Sequence, residues 1–288
     1  MEFFAASQTK FRFLVCSDID GHSVTKLTEQ FVYSEPEFDA ILLSGPFTHQ
    51  ALNTPEEVAV MQGDIASMIA QFENLVCRVI YLPSECDPSS VRNEQLHLTP
   101  NSLNIHGRQL SLAPSLRILG FSEKNEELST SRVPHHVDRS AESDDELENV
   151  GIAAGHSASI IREMLQNTSS GELLNTSCES SVSIPTSSFP SSPFPGSGIF
   201  MLNYRYSHTL NQLLFHMGSD LDQAAISLCV ITSADCPETS RLPVKFGKLH
   251  IAAPKSLRQG GNYLIVDIEL NEATQAWDKI SIEARTMQ

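Results

Sequence analysis

Basic residues are scarce in this chain. Lys and Arg together number 19 against 35 for Asp and Glu, which gives a formal net charge of −16. Such a surface repels nucleic-acid backbones and anionic membranes at long range, so we expect neither of them as a partner. Part of the charge lies in one acidic run, residues 142–148. Its serine could accept phosphate, although a solvated loop is the simpler interpretation.

Paired cysteines and long apolar runs are also lacking. The six cysteines include no Cys-x-x-Cys pair, which favours reduced thiols in a cytosolic protein. No segment approaches the roughly 20 apolar residues of a membrane span. Residues 1–13 do not have the pattern of a signal peptide. These features predict a cytoplasmic location.

What the chain does have is a β-α-β rhythm in its first third. Short apolar runs at residues 11–16, 38–44 and 78–82 predict buried strands. Helical patterns at residues 23–31 and 54–72 separate them, and the second opens with a Thr-Pro-Glu-Glu start signal. Each strand ends in a polar loop, which predicts a mostly parallel sheet with its site along the carboxyl edge.

Shorter strand-like segments follow and end the chain as β structure, with the last two predicted at residues 249–253 and 263–270. Residues 123–149 are acidic and polar and predict an exposed loop insertion. Residues 168–198 are dominated by Ser, Thr and Pro, which predicts a disordered insertion. We expect residues 1–288 to form one domain around these two insertions.

The strand ends and the final segment carry a resemblance to a known family. Residues 249–270, LHIAAPKSLRQGGNYLIVDIEL, and the Asn-Ile-His-Gly of residues 104–107 stand where calcineurin-like metallophosphoesterases have similar segments. The chain resembles that family over nearly its whole length apart from the two insertions. The resemblance implies a four-layer α/β sandwich, in which two mixed β-sheets face each other and helices cover the outside.

Enzymes of that family hold two metal ions at the strand ends, and the metals activate water against a phosphate ester. Measured against the family's ligand pattern, Asp18 matches and Asp20 replaces a histidine. Pro46 stands where the family has the aspartate that bridges both metals, and proline has no ligating atom.

At the third strand end Glu85 replaces an asparagine ligand, Cys86 replaces a histidine, and Asp87 survives. A later histidine aligns with Tyr204, and the family's Gly-His-x-His pattern is replaced by the Ser-Ala-Asp-Cys of residues 233–236. The ligand set is therefore largely lost. The resemblance then implies a catalytically inactive scaffold or protein-binding module, with no catalytic residue, no cofactor and another protein as partner.

The alternative is a divergent metal-dependent phosphoesterase. Asp18, Asp20, Glu85 and Asp87, with Asp235, would form an oxygen-rich pocket suited to Mg²⁺ or Mn²⁺. An aspartate after a buried strand is more often a turn or helix-cap residue, and this is the favoured interpretation of Asp18.

Other polar residues have simpler interpretations than a functional one. We expect Cys86 to be a buried, inert thiol, and His49, His135 and His136 to be solvated loop residues. Lys255 and Arg258 could meet an anion, although surface ion pairs explain them as well. A third hypothesis is a regulated interaction through the Ser-rich residues 168–198.

Overall fold

The computed structural model describes most of the chain's regular structure. The described residues are 8–32, 37–49, 54–75, 78–92, 98–113, 116–122, 159, 161–162, 197–203, 217, 221, 225–232, 244–274 and 276–287. The predicted insertions lie outside these residues, except that Ser197 and Gly198 begin a strand. Among the helices of the described residues, none is long and apolar enough to cross a lipid bilayer.

The first sheet combines the β-α-β part of the chain with its last two strands. Its strands are β1 (Lys10–Ser17), β2 (Ala40–Ser44), β3 (Val79–Leu82), β4 (Ser102–Asn104), β11 (Asn262–Asn271) and β12 (Ala276–Thr286), in the order β12-β11-β1-β2-β3-β4. Strands β1 to β4 are parallel, whereas β11 is antiparallel to both β1 and β12. The last strand predicted from the sequence ends at residue 270, so the prediction missed β12.

The second sheet is built from the middle of the chain. Its strands are β5 (Gln109–Ala113), β6 (Leu116–Ser122), β7 (Ser197–Asn203), β8 (Ile226–Thr232), β9 (Val244–Phe246) and β10 (Leu249–Ala252), in the order β5-β6-β7-β8-β10-β9. The four central strands are parallel and the two outer ones antiparallel. Both sheets are therefore mixed, as predicted.

Three apolar layers hold the sheets and helices together. The largest layer lies between the sheets, where Phe11 packs on Trp277 with ring centroids 5.2 Å apart. On the outer face of the first sheet, α1 (Gly21–Val32) and α2 (Pro55–Glu73) cover a second layer. A short α3 (Ser89–Arg92) follows β3. Helical residues Ile161, Met217 and Leu221 pack on the outer face of the second sheet. The predicted α/β sandwich of two mixed sheets is confirmed.

Helix α2 begins where its sequence signals place it. Thr54 is the N-cap, its hydroxyl accepts a hydrogen bond from the Glu57 backbone N–H, and the Glu57 carboxylate accepts one in return from the Thr54 N–H. This reciprocal pair satisfies two donors that a helix start leaves without partners. The helix then presents Ile65, Ile69 and Phe72 to the first sheet.

Candidate functional site: the strand-end edge

The carboxyl ends of the parallel strands of both sheets meet at one edge of the sandwich. Ser44 at the end of β2 and Thr232 at the end of β8 share a hydrogen bond of 2.5 Å between their hydroxyls. The Ser17 hydroxyl at the end of β1 donates to the backbone carbonyl of Pro254, just after β10, at 3.1 Å. We call this region the strand-end edge. It is the place where the sequence predicts a site.

Asp18 lies at the centre of this edge with both carboxylate oxygens in hydrogen bonds. His49 Nε2 is 2.6 Å from one oxygen, and the Ser256 hydroxyl donates to the other at 2.5 Å. The Arg258 guanidinium adds positive charge, with Nε 3.6 Å from the first oxygen. The Asp18 side chain is only 3% exposed.

The backbone explains why Asp18 holds this position. Its φ of +48° ends the extended run of β1 in the left-handed region, which aspartate tolerates better than most residues. Its N–H donates to the Ser44 carbonyl at 3.1 Å, and its carbonyl accepts from the Arg258 N–H at 3.0 Å. Asp18 thus joins β1 to β2 and to the loop after β10.

Asp20, rather than Asp18, caps helix α1. Its carboxylate accepts from the Ser23 N–H at 2.8 Å, while its own N–H donates to the Ser23 hydroxyl at 3.0 Å. Burial acts to raise the pKa of Asp20, but the hydrogen bonds from Ser23 and the charges of Arg258 and His22 outweigh it and lower the pKa. Asp20 is therefore the cap of α1 and stays ionised in a structural role. Asp18 lies in the turn between β1 and α1.

Asp87 is a buried cross-link between two loops. One of its oxygens accepts from the backbone N–H groups of Phe47 at 2.7 Å and Thr48 at 3.1 Å. The other accepts from the Ser84 N–H at 2.7 Å and the Ser84 hydroxyl at 3.1 Å. Burial raises the pKa of Asp87 to about 6, and these hydrogen bonds oppose the rise without cancelling it. Asp87 therefore joins the loop after β2 to the loop after β3.

A hydrogen-bonded network fills the space between the two sheets at this edge. Asn203, at the end of β7, donates through Nδ2 to the Gly45 carbonyl at 2.8 Å and to the Ser44 hydroxyl at 3.3 Å. Thr232 donates to the Leu202 carbonyl at 3.3 Å. Sequence reasoning missed these residues, although each is the one polar side chain at the end of a buried strand, which is the signal that could have found them.

Two expectations for single residues need correction. Cys86 is exposed rather than buried. Among the described cysteines the buried ones are Cys16 and Cys229, and burial raises the pKa of both thiols, that of Cys229 to about 12. His49 is not a lone solvated histidine, because it binds the Asp18 carboxylate.

The structure describes some of the other residues named in the sequence analysis, and the rest lie outside the described residues. Arg258 forms ion pairs with Asp18 and, at 4.0 Å, with Asp20, whereas Lys255 is exposed. Glu85 is half-buried in the loop after β3. Tyr204, residues 233–236 including Asp235, and the histidines at 135 and 136 lie outside the described residues.

The residues that the structure describes at this edge do not fit a metal centre. Asp18, Asp20, Glu85 and Asp87 are all described, yet no three His, Cys, Asp or Glu side chains in the described ranges are grouped so that they could hold a metal ion. Each oxygen of Asp18 and Asp87 already accepts a hydrogen bond. Pro46 follows Gly45 through a cis peptide bond and offers no ligand.

A pocket of about 310 Å³ opens beside the edge, between the start of α1, helix α2 and the loop after β2. Its floor is apolar, formed by Phe47, Met61 and Met68. Its polar lining carries both signs of charge and includes Asp20, Asp64 and Arg258. This mixture indicates no single class of ligand.

The fold and this edge define an α/β sandwich whose strand ends are joined by hydrogen bonds. No family model matches the chain, and no curated protein matches it. The crystal structure of TT1561 of Thermus thermophilus is similar, with a TM-score of 0.53 and 13% identity over 97% of this chain and 100% of that one. A second solved structure has the same TM-score and coverage at 10% identity. At such identities the similarity concerns the fold.

Proposed function

We propose that this chain is a non-catalytic scaffold or protein-binding module built on a metallophosphoesterase-like sandwich. One observation carries the proposal. Asp18 and Asp87 match ligand positions of the family, and all four of their carboxylate oxygens accept hydrogen bonds from the protein itself. A metal ion would have to displace these donors. Such a carboxylate stabilises loops instead of binding a substrate.

The charges at the edge favour the same conclusion. His49 and Arg258 lie beside Asp18, so its negative charge is already balanced by cationic or donor groups of the chain. A divalent ion at the same place would be repelled by the Arg258 guanidinium. The end of β2 adds a third support, because the Ser44 hydroxyl is hydrogen-bonded to both Asn203 and Thr232, so these polar groups are also engaged within the protein.

The proposed partner is another protein, and the proposed location is the cytoplasm. A net charge of −16 disfavours nucleic acid and anionic lipid as partners. Cys16 and Cys229 are buried free thiols, which suits a reducing compartment.

Metal content and hydrolysis test the catalytic half of the proposal. The purified chain is incubated with Mn²⁺, dialysed and analysed for bound metal, and hydrolysis of bis(p-nitrophenyl) phosphate is followed with Mn²⁺ present. We expect no stoichiometric metal and turnover at the level of the buffer, unchanged in Asp18→Ala. Asp64→Asn, which removes an exposed carboxylate from α2, is the control for loss of charge. Stoichiometric metal with turnover that disappears only in Asp18→Ala would establish the divergent phosphoesterase instead.

Partner capture tests the binding half. The tagged full-length chain is used to isolate proteins from cell extract, and mass spectrometry compares the yield with that of a variant lacking residues 168–196, which ends before β7. A module that binds through its folded surface retains the same partners in both. Loss of every partner in the deletion variant would assign binding to the Ser-rich segment, and no enrichment with either chain would contradict the proposal.

A further inference from the structure

Strand β12 forms an open edge of the first sheet. It pairs with β11 over almost its whole length, from Asn262 opposite Thr286 to Asn271 opposite Ala276. On its other side no strand of the described residues pairs with it. Every second residue of an edge strand directs its N–H and C=O groups away from the sheet, so these eleven residues offer a template for a further strand.

The side chains of β12 divide into an apolar and a charged face. Ile280 and Ile282 are half-buried and pack against the core between the two sheets. Lys279 and Glu283 lie on the opposite face and are exposed. Glu283 pairs with Arg285 of its own strand at 2.8 Å, whereas Lys279 takes part in no ion pair among the described residues.

We propose that two copies of this chain associate through β12, antiparallel and centred on Ser281. Residues whose numbers sum to 562 then lie opposite each other. In this register Lys279 faces Glu283 of the second copy, and by symmetry Glu283 faces the second Lys279. Ile280 faces Ile282 of the second copy, so each isoleucine pair covers apolar surface that the single chain leaves partly open.

Neighbouring registers are less complementary. Centring the pair on Ile282 sets Lys279 opposite Arg285, two like charges. Centring it between Ser281 and Ile282 sets Ile280 opposite Glu283 and brings the apolar face of one copy against the charged face of the other. Centring it on Ile280 leaves Lys279 opposite Ser281 without a charged partner. The pattern of β12 therefore selects Ser281 as the centre.

The expected association is reversible and of modest affinity. A single strand pair buries less than the roughly 1,200 Å² that stable interfaces need, so we expect a dissociation constant on the order of 10 µM. The two copies also repel each other through their net charge of −16, an effect that about 0.15 M salt screens. The surface lies two strands away from β1, so the proposal goes beyond the scaffold function and does not rest on it.

Sedimentation or light scattering of the full chain, from about 1 to 200 µM at about 0.15 M salt, tests the dimer. We expect the wild type to shift from monomer to dimer across this range. K279E and E283K each place like charges opposite each other, and we expect each to raise the dissociation constant about tenfold or more. An equimolar mixture of K279E and E283K forms two opposite-charge pairs per dimer, so it regains the wild-type dissociation constant.

Two controls separate this register from a general effect of charge. K248E makes the same charge change at an exposed turn between β9 and β10, and we expect it to dimerise like the wild type. Circular dichroism checks that each variant is folded. A wild type that stays monomeric at about 200 µM overturns the proposal. A dimer unaffected by K279E, or a mixture of the two variants that stays monomeric, overturns the register on which it is based.

Discussion

Asp87 shows how a carboxylate can serve the fold in place of chemistry. Its four hydrogen bonds come from two loops that are far apart in sequence, residues 47–48 and residue 84. Burial without a charged partner makes the ionised form costly, which is why the pKa rises to about 6. The residue therefore stabilises the loop connection through geometry while its charge works against stability.

Replacing Asp87 separates these two effects. Asp87→Ala removes all four acceptor bonds, and we expect it to lower the free energy of unfolding by roughly 2–4 kcal/mol. Asp87→Asn keeps the shape but turns one acceptor oxygen into a donor that faces other donors, so we expect a loss of about 1–3 kcal/mol. Urea unfolding followed by circular dichroism measures both. A loss in Asp87→Ala no larger than that of an exposed carboxylate such as Asp64→Ala would contradict the structural role.

The pH dependence of the same variant has a definite sign. The pKa of Asp87 is raised in the folded state, so its contribution is fully present below the unfolded pKa and is lost as pH rises through about 6. Relative to Asp87→Asn, the wild type should therefore gain about 1 kcal/mol of stability when pH falls from about 7 to about 5. Taking the difference between the two proteins cancels the other titrating groups. If the stability of the wild type relative to Asp87→Asn stays constant or decreases as the pH is lowered over this range, the assignment is contradicted.

Gly45 is required by the close approach of Asp87. A Cβ at this position would lie 2.4 Å from an Asp87 carboxylate oxygen and 2.7 Å from the Ser84 backbone nitrogen. We expect Gly45→Ala to lower stability by roughly 1–3 kcal/mol. Gly63→Ala is the control, because nothing lies within 4 Å of its Cβ position in the middle of α2, and alanine should raise stability there by about 0.5–1 kcal/mol. Thermal unfolding of both variants gives the comparison, and equal effects would refute it.

At the residue scale the sequence alone indicated Asp18 and Asp87, but not the residues that form hydrogen bonds with them. Asp18 and Asp87 stand out because each follows a buried strand. His49 and Ser256, which bind Asp18, lie 31 and 238 positions away, and no local pattern connects them to it. Asn203 was not predicted, because the family pattern aligns a metal ligand with its neighbour Tyr204.

The capping box of α2 is the clearest local signal among the elements. Thr54→Ala removes the hydroxyl that accepts the Glu57 N–H, and we expect a loss of about 1 kcal/mol in the free energy of unfolding. Thr28→Ala is the control, since that hydroxyl only bonds back to the Thr25 carbonyl within α1. Chemical denaturation monitored by circular dichroism distinguishes the two. A loss in Thr28→Ala as large as in Thr54→Ala would count against the cap.

Periodicity predicted most elements and failed where the signal is weak. Strands β1 to β3 and β8 consist mostly of apolar residues, and such runs are readily recognised. Strand β12 has only Trp277, Ile280 and Ile282 among many polar residues, because its outer face is exposed. An edge strand of this composition is difficult to distinguish from a polar tail by sequence alone.

Asn203 links the two sheets, so its effect concerns the stability of the whole molecule. It lies on β7 in the second sheet and donates to Ser44 and Gly45 at the end of β2 in the first. Asn203→Ala leaves buried acceptors without this donor, so we expect a loss of roughly 1–3 kcal/mol. The fluorescence of Trp277, the one tryptophan of the chain, reports global unfolding from between the sheets. Asn101→Ala is the control, because the hydrogen bond of Asn101 to Glu73 is made by its backbone, and an equal loss in both variants would contradict the link.

The division of the twelve strands of the described residues between two sheets could not be derived from composition or spacing. Local patterns indicate that a strand exists, but Ser44 and Asn203 are 159 positions apart and only the folded chain brings them together. The sandwich was predicted through resemblance to a family, in which strand order comes with the fold. The contacts that fill the edge between the sheets are specific to this chain, so the resemblance could not supply them.

Strand β1 has one neighbour that is translated almost immediately and another that is translated very late. Residues 40–44 pair with it on one side, and residues 264–269 pair with it on the other. The Arg12 side chain in β1 binds Asp267, which lies 255 positions later in the chain. During synthesis on the ribosome one edge of β1 therefore stays without its partner strand until residues 264–269 have also emerged. Such long-range pairing slows folding and exposes a nascent sheet to aggregation, so we expect this protein to depend on chaperones more than its size alone would suggest.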